Sequence, residues 1–246
     1  MQIKVLKNAR TLGAAAGKKA AELIEQTISE KGTANIILAT GTSQFETLLE
    51  LIQDKTINWD KVTIFHLDEY IDLPEDHPAS FRKYLKERVL AYINKPSATY
   101  FINGENDPQQ ECRIIGKTIL NHPIDVALLG IGENGHLAFN DPPADFDTED
   151  PYIIVRLDDE CIAQQFNEGW FLKIEDVPKQ AISMSIKHIM KSKAIICSVP
   201  DARKAKAVKD CLEGDVSNMR PGSVLQQHDN CLIYLDEASA SLLEMK

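Results

Sequence analysis

The sequence predicts an α/β fold with an open, mostly parallel, twisted sheet and helices on both of its faces. Short apolar, β-branched runs alternate with longer helical segments along the chain. Hydrophobic residues make up 43% of the 246 residues, which is enough for a sizeable core, and no repeat or linker interrupts the alternation. We therefore expect a single α/β domain over residues 1–246.

The elements follow from local patterns. Short apolar runs predict strands at 2–7, 35–39, 62–67, 99–102, 124–130, 193–199 and 230–235. Apolar positions at helical spacing predict helices at 10–29, 44–53, 79–93, 108–120 and 202–212, with a terminal helix from Glu237. Residues 141–158 are rich in Pro and Asp, which indicates a mobile loop or the approach to a small lid at about 145–180.

Composition narrows the class of protein. The net charge of −10, without a dense Lys/Arg tract, argues against a nucleic-acid or membrane partner, although local basic residues can still hold a phosphate. Five cysteines without CxxC spacing argue against a disulfide framework or zinc site and favour a reducing, cytoplasmic location. The apolar run at the N-terminus is too short for a signal peptide, and no stretch approaches the ~20 apolar residues of a membrane helix.

The most informative segment is 130–142, which follows the predicted strand 124–130. Gly130, Gly132 and Gly135 allow close approach of a ligand to the backbone, and His136 and Asp141 follow them. In parallel sheets ligands bind beyond the carboxyl ends of the strands, so a His–Asp pair here indicates an active site. The alternatives are a core histidine and, less favoured because no second His or Cys lies at ligand spacing, a metal site.

Three other strand ends carry polar residues. Small hydroxyl residues and a glycine at a helix start form either an anion cradle or an ordinary helix cap; they are Thr40, Gly41, Thr42 and Ser43. Asp68 and Glu69 end a strand and supply either a general base or an acid that caps the next turn. Lys204 begins a helix, against the dipole preference, and contacts an anionic ligand or only solvent.

Four ordered motifs, spread over nearly the whole chain, resemble the glucosamine-6-phosphate deaminase/isomerase family, whose superfamily includes 6-phosphogluconolactonase. The first runs from Phe65 to Tyr70 and continues at 73–81, the second is GENGHLAFNDP at 132–142, the third is at 177–183 and the fourth at 221–228. The resemblance implies a modified Rossmann-like fold. It also implies an aldose–ketose isomerisation of a 2-amino-2-deoxyhexose 6-phosphate with loss of ammonium, and no cofactor or metal.

The resemblance also implies roles for particular residues. Asp68 matches the base that moves a proton between C2 and C1, His136 the residue that assists ring opening, and Asp141 the carboxylate that orients it. Asn134 matches a further catalytic position. The residues that match the binding of substrate and its phosphate are Thr40, Gly41, Thr42, Ser43, Glu69, Gly135 and Lys204.

The chain departs from well-studied members at several positions. Asn134 stands where they have Asp, Asp141 stands where they have Glu, and residues 161–171 lack their phosphate-binding arginine. Asn134 carries no charge, so we expect it to polarise His136 less than a second carboxylate would. Gln164 or Gln165 could contact the sugar instead.

These departures leave other functions open. They are a galactosamine-6-phosphate isomerase and a non-catalytic sugar-phosphate sensor. A 6-phosphogluconolactonase ranks lower, because that family lacks the Phe-Asn-Asp-Pro continuation at 139–142 and the Asp-Glu-Tyr triplet at 68–70. We expect a small-molecule amino-sugar phosphate as partner, with a homo-oligomer as a further expectation.

Overall fold

The computed structural model describes residues 1–244 and contains one large and one small sheet. The strands are β1 (Gln2–Leu6), β2 (Ala34–Leu38), β3 (Val62–His66), β4 (Asp68–Tyr70), β5 (Ala98–Thr99), β6 (Val126–Leu129), β7 (Tyr152–Arg156), β8 (Gln180–Met184), β9 (Ala194–Val199) and β10 (Cys231–Asp236). Within the described chain, seven strands form a parallel sheet in the order β1-β10-β9-β6-β2-β3-β5. The antiparallel order β4-β8-β7 forms the small sheet.

Helices connect these strands. They are α1 (Ala9–Lys31), α2 (Phe45–Gln53), α3 (Phe81–Leu85), α4 (Pro108–Leu120), α5 (Asp159–Asn167), α6 (Ile186–Met190) and α7 (Ala205–Leu212). A π-helical turn, Lys86–Leu90, continues α3. The predicted helix at 79–93 is therefore present, but it begins later, at Phe81, and its last part is π-helical. No helix of residues 1–244 has both the length and the apolar character that crossing a membrane requires.

The large sheet is buried on both faces. Ile36 and Leu38 of β2 pack in one apolar cluster with α1 and α2, whereas Ile37 of the same strand packs in another with α4, α6 and α7. Side chains alternate across a strand, so two covered faces require the continuous apolar runs seen in the sequence. The predicted α/β fold with helices on both faces is confirmed.

The position of α2 depends on two glycines in α1. A Cβ placed on Gly13 would lie 2.2 Å from Glu46 Cβ, and one on Gly17 would lie 2.5 Å from the Thr47 carbonyl oxygen. Only glycine permits this approach of the two helices. The close contact brings the start of α2 to the carboxyl end of β2, where the hydroxyl-rich turn lies.

Two sequence predictions are wrong. Glu237 does not begin a helix; residues 237–242 form turns, and Ser239 N–H donates to Asp236 Oδ1 at 2.7 Å. Residues 245–246 of that predicted helix lie outside the described chain. Segment 141–158 is not irregular throughout, because β7 occupies 152–156 and pairs with β8. That pairing partner lies more than 20 residues away, so local pattern could not indicate it.

Candidate active site

A cleft lies beyond the carboxyl ends of β2, β6 and β9, where the predicted polar segments converge. Its lining includes six of the eleven residues to which the family resemblance gives catalytic or binding roles: Thr40, Gly41, Ser43, Asp68, His136 and Lys204. The other five do not line it; they are Thr42, Glu69, Asn134, Gly135 and Asp141. Most of the predicted site residues therefore line one cleft. The remaining ones lie behind its wall.

The turn after β2 provides one end of the cleft. Gly41 has φ +94°, a conformation that favours glycine, and its carbonyl oxygen accepts a hydrogen bond from the Tyr84 hydroxyl at 3.0 Å. Gln44 donates from Nε2 to the carbonyl oxygens of Leu129 and Ser198, both at 3.3 Å. These bonds join the turn to the ends of β6 and β9, so the turn is held rigidly beside the cleft.

Lys204 lies at the same end and is 4% exposed. Its Nζ is 4.0 Å from Glu133 Oε1, and burial lowers the pKa of its ammonium group, partly opposed by Glu168 and Glu133. The neighbouring Arg203 is half-exposed and pairs with Glu133 at 3.3 Å and with Asp201 at 3.0 Å. A buried ammonium with no hydrogen-bond partner among the described residues is suited to an anionic ligand.

Asp68 is buried at the start of β4, where it pairs in register with Ser183 of β8. Burial raises the pKa of its carboxyl group well above the ordinary value, and the neighbouring charge of Glu69 raises it further. A carboxyl group with a raised pKa in a cleft is suited to accept a proton and return it.

Glu69 points away from the cleft and is fully buried. It forms an ion pair with Arg82 at 3.1 Å, and its carboxylate accepts hydrogen bonds from Ser80 Oγ and the backbone N–H groups of Phe81 and Arg82. Both oxygens are therefore engaged by the start of α3. The structure does not bring Glu69 to the place where a substrate would lie.

The imidazole of His136 lies against the backbone of Gly132. A Cβ on Gly132 would be 2.2 Å from ring atoms of His136, so only glycine leaves room for the ring. Gly135 has φ +87°, and its carbonyl oxygen accepts from Gly222 N–H at 2.7 Å, which fixes the turn from outside the cleft. The glycines thus determine where the imidazole sits.

Asp141 lies behind His136, with Oδ1 3.0 Å from Nδ1. Burial by itself raises the pKa of Asp141, but the adjacent imidazole outweighs it, with help from Asn134 and Asp158 N–H, so the pKa lies below its ordinary value. A carboxylate in this place can hold the imidazole of His136 in one orientation.

The Asn134 side chain is hydrogen-bonded to two carboxylates and to the backbone of His136 rather than to its imidazole. Its Nδ2 donates to Asp141 at 3.0 Å and to Asp158 at 2.9 Å, and its Oδ1 accepts from the backbone N–H of His136 at 3.1 Å. Asn134 therefore bridges two carboxylates that would otherwise repel each other. A neutral amide is suited to that position because its N–H groups donate to both carboxylates. A third carboxylate would have no hydrogen to donate and would add a further negative charge.

Helix α5 adds Gln164 and Gln165 to the lining, and Glu168 follows directly after its end. Gln164 accepts from Glu133 N–H at 2.9 Å and donates to Glu168 at 2.9 Å, which ties α5 to the glycine-rich turn. Gln165 Oε1 accepts from the Tyr70 hydroxyl at 2.8 Å, and its Nε2 has no partner among the described residues. The absence of an arginine in 161–171 predicts that one of these glutamines contacts the sugar, whereas no local sequence pattern indicates Glu168 or Asp158.

Comparison with known proteins agrees with this arrangement. The model of the family described as glucosamine-6-phosphate isomerases/6-phosphogluconolactonase matches residues 7–234. A glucosamine-6-phosphate deaminase of Lactobacillus delbrueckii subsp. bulgaricus is 37% identical over 99% of this chain and 100% of that protein. One of Bacillus cytotoxicus is 37% identical over 98% of this chain and 89% of that protein.

Solved structures agree as well. A monomeric glucosamine-6-phosphate deaminase superposes with a TM-score of 0.89 at 33% identity, covering 99% of this chain and 100% of that one. A 6-phosphogluconolactonase of Trypanosoma brucei gives 0.78 at 20% identity over 98% of both chains, which shows a shared fold alone. Because the family model spans nearly the whole chain and the deaminases match it from end to end, the chain belongs to the glucosamine-6-phosphate isomerase/6-phosphogluconolactonase family.

Proposed function

We propose that the protein is a deaminating aldose–ketose isomerase that converts glucosamine 6-phosphate and water to fructose 6-phosphate and ammonium. The observation that carries the proposal is the cleft itself. It combines a buried carboxyl group of raised pKa, Asp68, with the His136–Asp141 pair and a buried ammonium, Lys204. An isomerase of this kind needs a base, an acid for ring opening and an anchor for the phosphate.

The proposed steps use these groups in order. His136 moves the proton that opens the pyranose ring and exposes the C1 aldehyde. Asp68 takes the proton from C2 and returns it to C1, through an enolamine. Meanwhile the C1 oxygen gains a proton and the amino nitrogen loses one, which leaves a C1 alcohol and an imine at C2. Water adds to that imine and ammonia leaves, giving the C2 ketone. Asp141 keeps His136 oriented during the first step.

The phosphate site follows from charge. We place the 6-phosphate between the Thr40–Ser43 turn and Lys204, with Gln165 Nε2 available to a sugar hydroxyl. Binding energy from the phosphate can then orient carbons that lie farther along the cleft. The cytoplasmic location belongs to the same proposal and is supported by five free cysteines, whereas a homo-oligomer stays a prediction.

Ammonia release measured over a panel of substrates tests the proposal. Glucosamine 6-phosphate is expected to be turned over fastest, ahead of galactosamine 6-phosphate, with no hydrolysis of 6-phosphogluconolactone. Faster turnover of the galactosamine epimer would reassign the substrate. Binding of both sugars without ammonia release would indicate a sensor, and lactone hydrolysis alone would indicate a lactonase.

Asp68→Asn tests the base. Loss of a general base typically lowers the rate by about 10²–10⁴, and we expect kcat to fall by that much while sugar-phosphate affinity is retained. Asp76→Asn is the matched control because Asp76 is exposed in the following loop. Near-normal kcat in Asp68→Asn would remove Asp68 from the mechanism.

Lys204→Met tests the anchor. A hydrogen bond to a charged group contributes about 1.5–3 kcal/mol, so the affinity for a sugar phosphate should fall by about 10-fold to 100-fold. The exposed Lys206, which pairs with Asp210, provides the control Lys206→Met. Titration calorimetry with fructose 6-phosphate measures the affinity of both variants. If Lys204→Met bound as tightly as Lys206→Met, the phosphate would have to lie elsewhere.

A further inference from the structure

Three side chains of different chemistry converge behind the cleft. The ligand atoms of His136, Asp141 and Cys161 all lie within 4.8 Å of one another, and all three residues are buried. Cys161 comes from the first turn of α5, 20 residues after Asp141, so only the tertiary structure brings its thiol here. Imidazole nitrogen, carboxylate oxygen and thiolate sulfur are the three donors that proteins use to bind Zn²⁺.

The contact of His136 Nδ1 with Asp141 is close but poorly aligned. His136 Nδ1 lies 3.0 Å from Asp141 Oδ1, yet it has no partner at an acceptable hydrogen-bond angle and no contact with solvent. His136 as a whole is 7% exposed. A buried nitrogen directed off the line of its nearest acceptor is costly by itself, and a cation placed among the three atoms would use its lone pair.

The charges around the cluster favour a cation. Asp158 lies beside Asp141, and its Oδ1 accepts from Cys161 N–H at 2.6 Å. Among residues 1–244, neither Asp141 nor Asp158 forms an ion pair with a lysine or arginine. Their partners are His136, Asn134, the Cys161 thiol and backbone N–H groups. Two neighbouring carboxylates compensated mainly by dipoles attract a positive ion.

We propose that His136 Nδ1, the Asp141 carboxylate and the Cys161 thiolate form a binding site for a thiophilic divalent cation, with Zn²⁺ as the fitting ion. On binding, the Cys161 S–H bond breaks and its proton leaves to solvent, while the proton on His136 Nδ1 is replaced by one on Nε2. Bonds from sulfur and from Nδ1 to the metal then form without any change in oxidation state. Three protein ligands leave a fourth tetrahedral position for water. The ion occupies Nδ1 and separates His136 from Asp141, so the site is inhibitory; this consequence, unlike binding, rests on the proposed function.

Thiolate-to-metal charge-transfer absorption tests the site without any substrate. Metal-free protein titrated with Cd²⁺ or Co²⁺ should show this absorption and saturate at one equivalent. In Cys161→Ser the absorption should disappear, and Zn²⁺ affinity, measured by competition with a chromophoric chelator, should fall by roughly 100-fold because a thiolate ligand is lost. Cys161→Ala serves the same purpose if the serine variant does not fold.

Cys112→Ser is the matched control. Cys112 is the partly exposed cysteine of the described chain and lies on α4, so its removal should change neither absorption nor affinity. His136→Gln should weaken Zn²⁺ binding while a thiolate signal persists at higher Cd²⁺. Absorption that survives in Cys161→Ser, that vanishes in Cys112→Ser, or that never develops in the wild-type protein would overturn the site.

Inhibition is measured separately. Zn²⁺ should inhibit ammonia release by the wild-type protein and Cys112→Ser, with recovery on adding a chelator. Cys161→Ser should keep wild-type turnover in chelator and require about 100-fold more Zn²⁺ for the same inhibition. If the same Zn²⁺ concentration inhibited the wild-type protein and Cys161→Ser equally, the inhibitory role of the site would be overturned. If no variant releases ammonia, the proposed reaction fails, while the absorption data still decide whether the cation binds.

Discussion

At the scale of single residues, the shape of the backbone decides where the reactive side chains lie. The imidazole of His136 occupies the space that any side chain on Gly132 would fill. Asp68 carries a raised pKa because it is buried, and Glu69, the next residue, is buried on the opposite side of the strand. Neither property belongs to a residue type by itself; each depends on what lies within a few ångströms.

Gly132→Ala is expected to disable the site without unfolding the protein. The new Cβ would lie 2.2 Å from the ring, which must then move. A misplacement of about 1 Å can cost about 10²-fold in rate, so kcat for ammonia release should fall by about that factor. Gly116→Ala is the control, since its Cβ would meet Pro151 at an ordinary 3.6 Å. Normal kcat in Gly132→Ala would show that the ring position is not critical.

The pH dependence should report the raised pKa of Asp68. As a base, Asp68 acts only when ionised, so kcat/KM should fall as the pH drops through this pKa. Because burial and Glu69 raise the pKa, the decline should occur well above the pH of about 3.9 at which an ordinary Asp titrates. Ammonia release measured across pH checks the sign. An acid limb at or below the ordinary Asp range would contradict the assignment.

At the scale of elements, the short strand β4 serves two functions. Alternation along the strand turns Asp68 to the cleft and Glu69 to the interior, where Arg82 and the start of α3 hold its carboxylate. Arg82 also donates from Nη1 to Asn103 Oδ1 at 2.7 Å and from Nη2 to the Leu73 carbonyl oxygen at 3.0 Å. The buried ion pair therefore secures the strand that carries the proposed base.

Arg82→Met should be strongly destabilising. Removing one partner of a buried pair leaves an uncompensated charge and costs about 3–5 kcal/mol in free energy of unfolding. Urea unfolding measures the loss, and the double variant Glu69→Gln/Arg82→Met should recover part of it. The Lys19–Glu22 pair is largely open to solvent, with side-chain exposures of 35% and 51%, and gives the control Lys19→Met, which should cost no more than about 1 kcal/mol. Similar losses at both sites would argue against the role of burial.

At the scale of the whole molecule, the cleft lies between the large sheet and α5. The turns after β2, β6 and β9 form one wall. Gln164 and Gln165 of α5, with Glu168 directly after the helix, form the other. Segment 145–180, which includes α5, stays our prediction for a lid. Its contacts with the opposite wall include the bond from Glu133 N–H to Gln164.

Ligand binding should slow amide hydrogen exchange in α5 if this segment closes over the substrate. With fructose 6-phosphate at 100 times Kd, openings that require ligand release become about 100-fold rarer, and exchange should slow by up to that factor. Helix α1 contributes no residue to the cleft and serves as the internal control. Unchanged exchange in α5, or equal slowing in α1, would contradict a lid.

Elements that depend on neighbours along the chain could be predicted from the sequence, whereas elements that depend on distant partners could not. Helix Pro108–Leu120 was predicted to the residue, because Asp107 caps it and its apolar spacing is local. Residues of the cleft such as Asp68 and His136 were found because each follows a strand. In contrast, β7 requires β8 as partner, and the terminal turns depend on Asp236 bonding to Ser239. Local periodicity carries no information on such partners.

The order of amino acids is enough to predict the α/β class, the family resemblance and the places where polar residues meet at strand ends, because parallel strands bring their carboxyl ends to one edge. That Glu69 is a buried structural anchor and that Asn134 bridges two carboxylates became evident from the folded chain alone. The fold also brought Cys161 beside His136 and Asp141, although spacing along the chain had argued against a second metal ligand. The physical reason is that burial, pKa and ligand geometry depend on neighbours in space, which packing alone supplies.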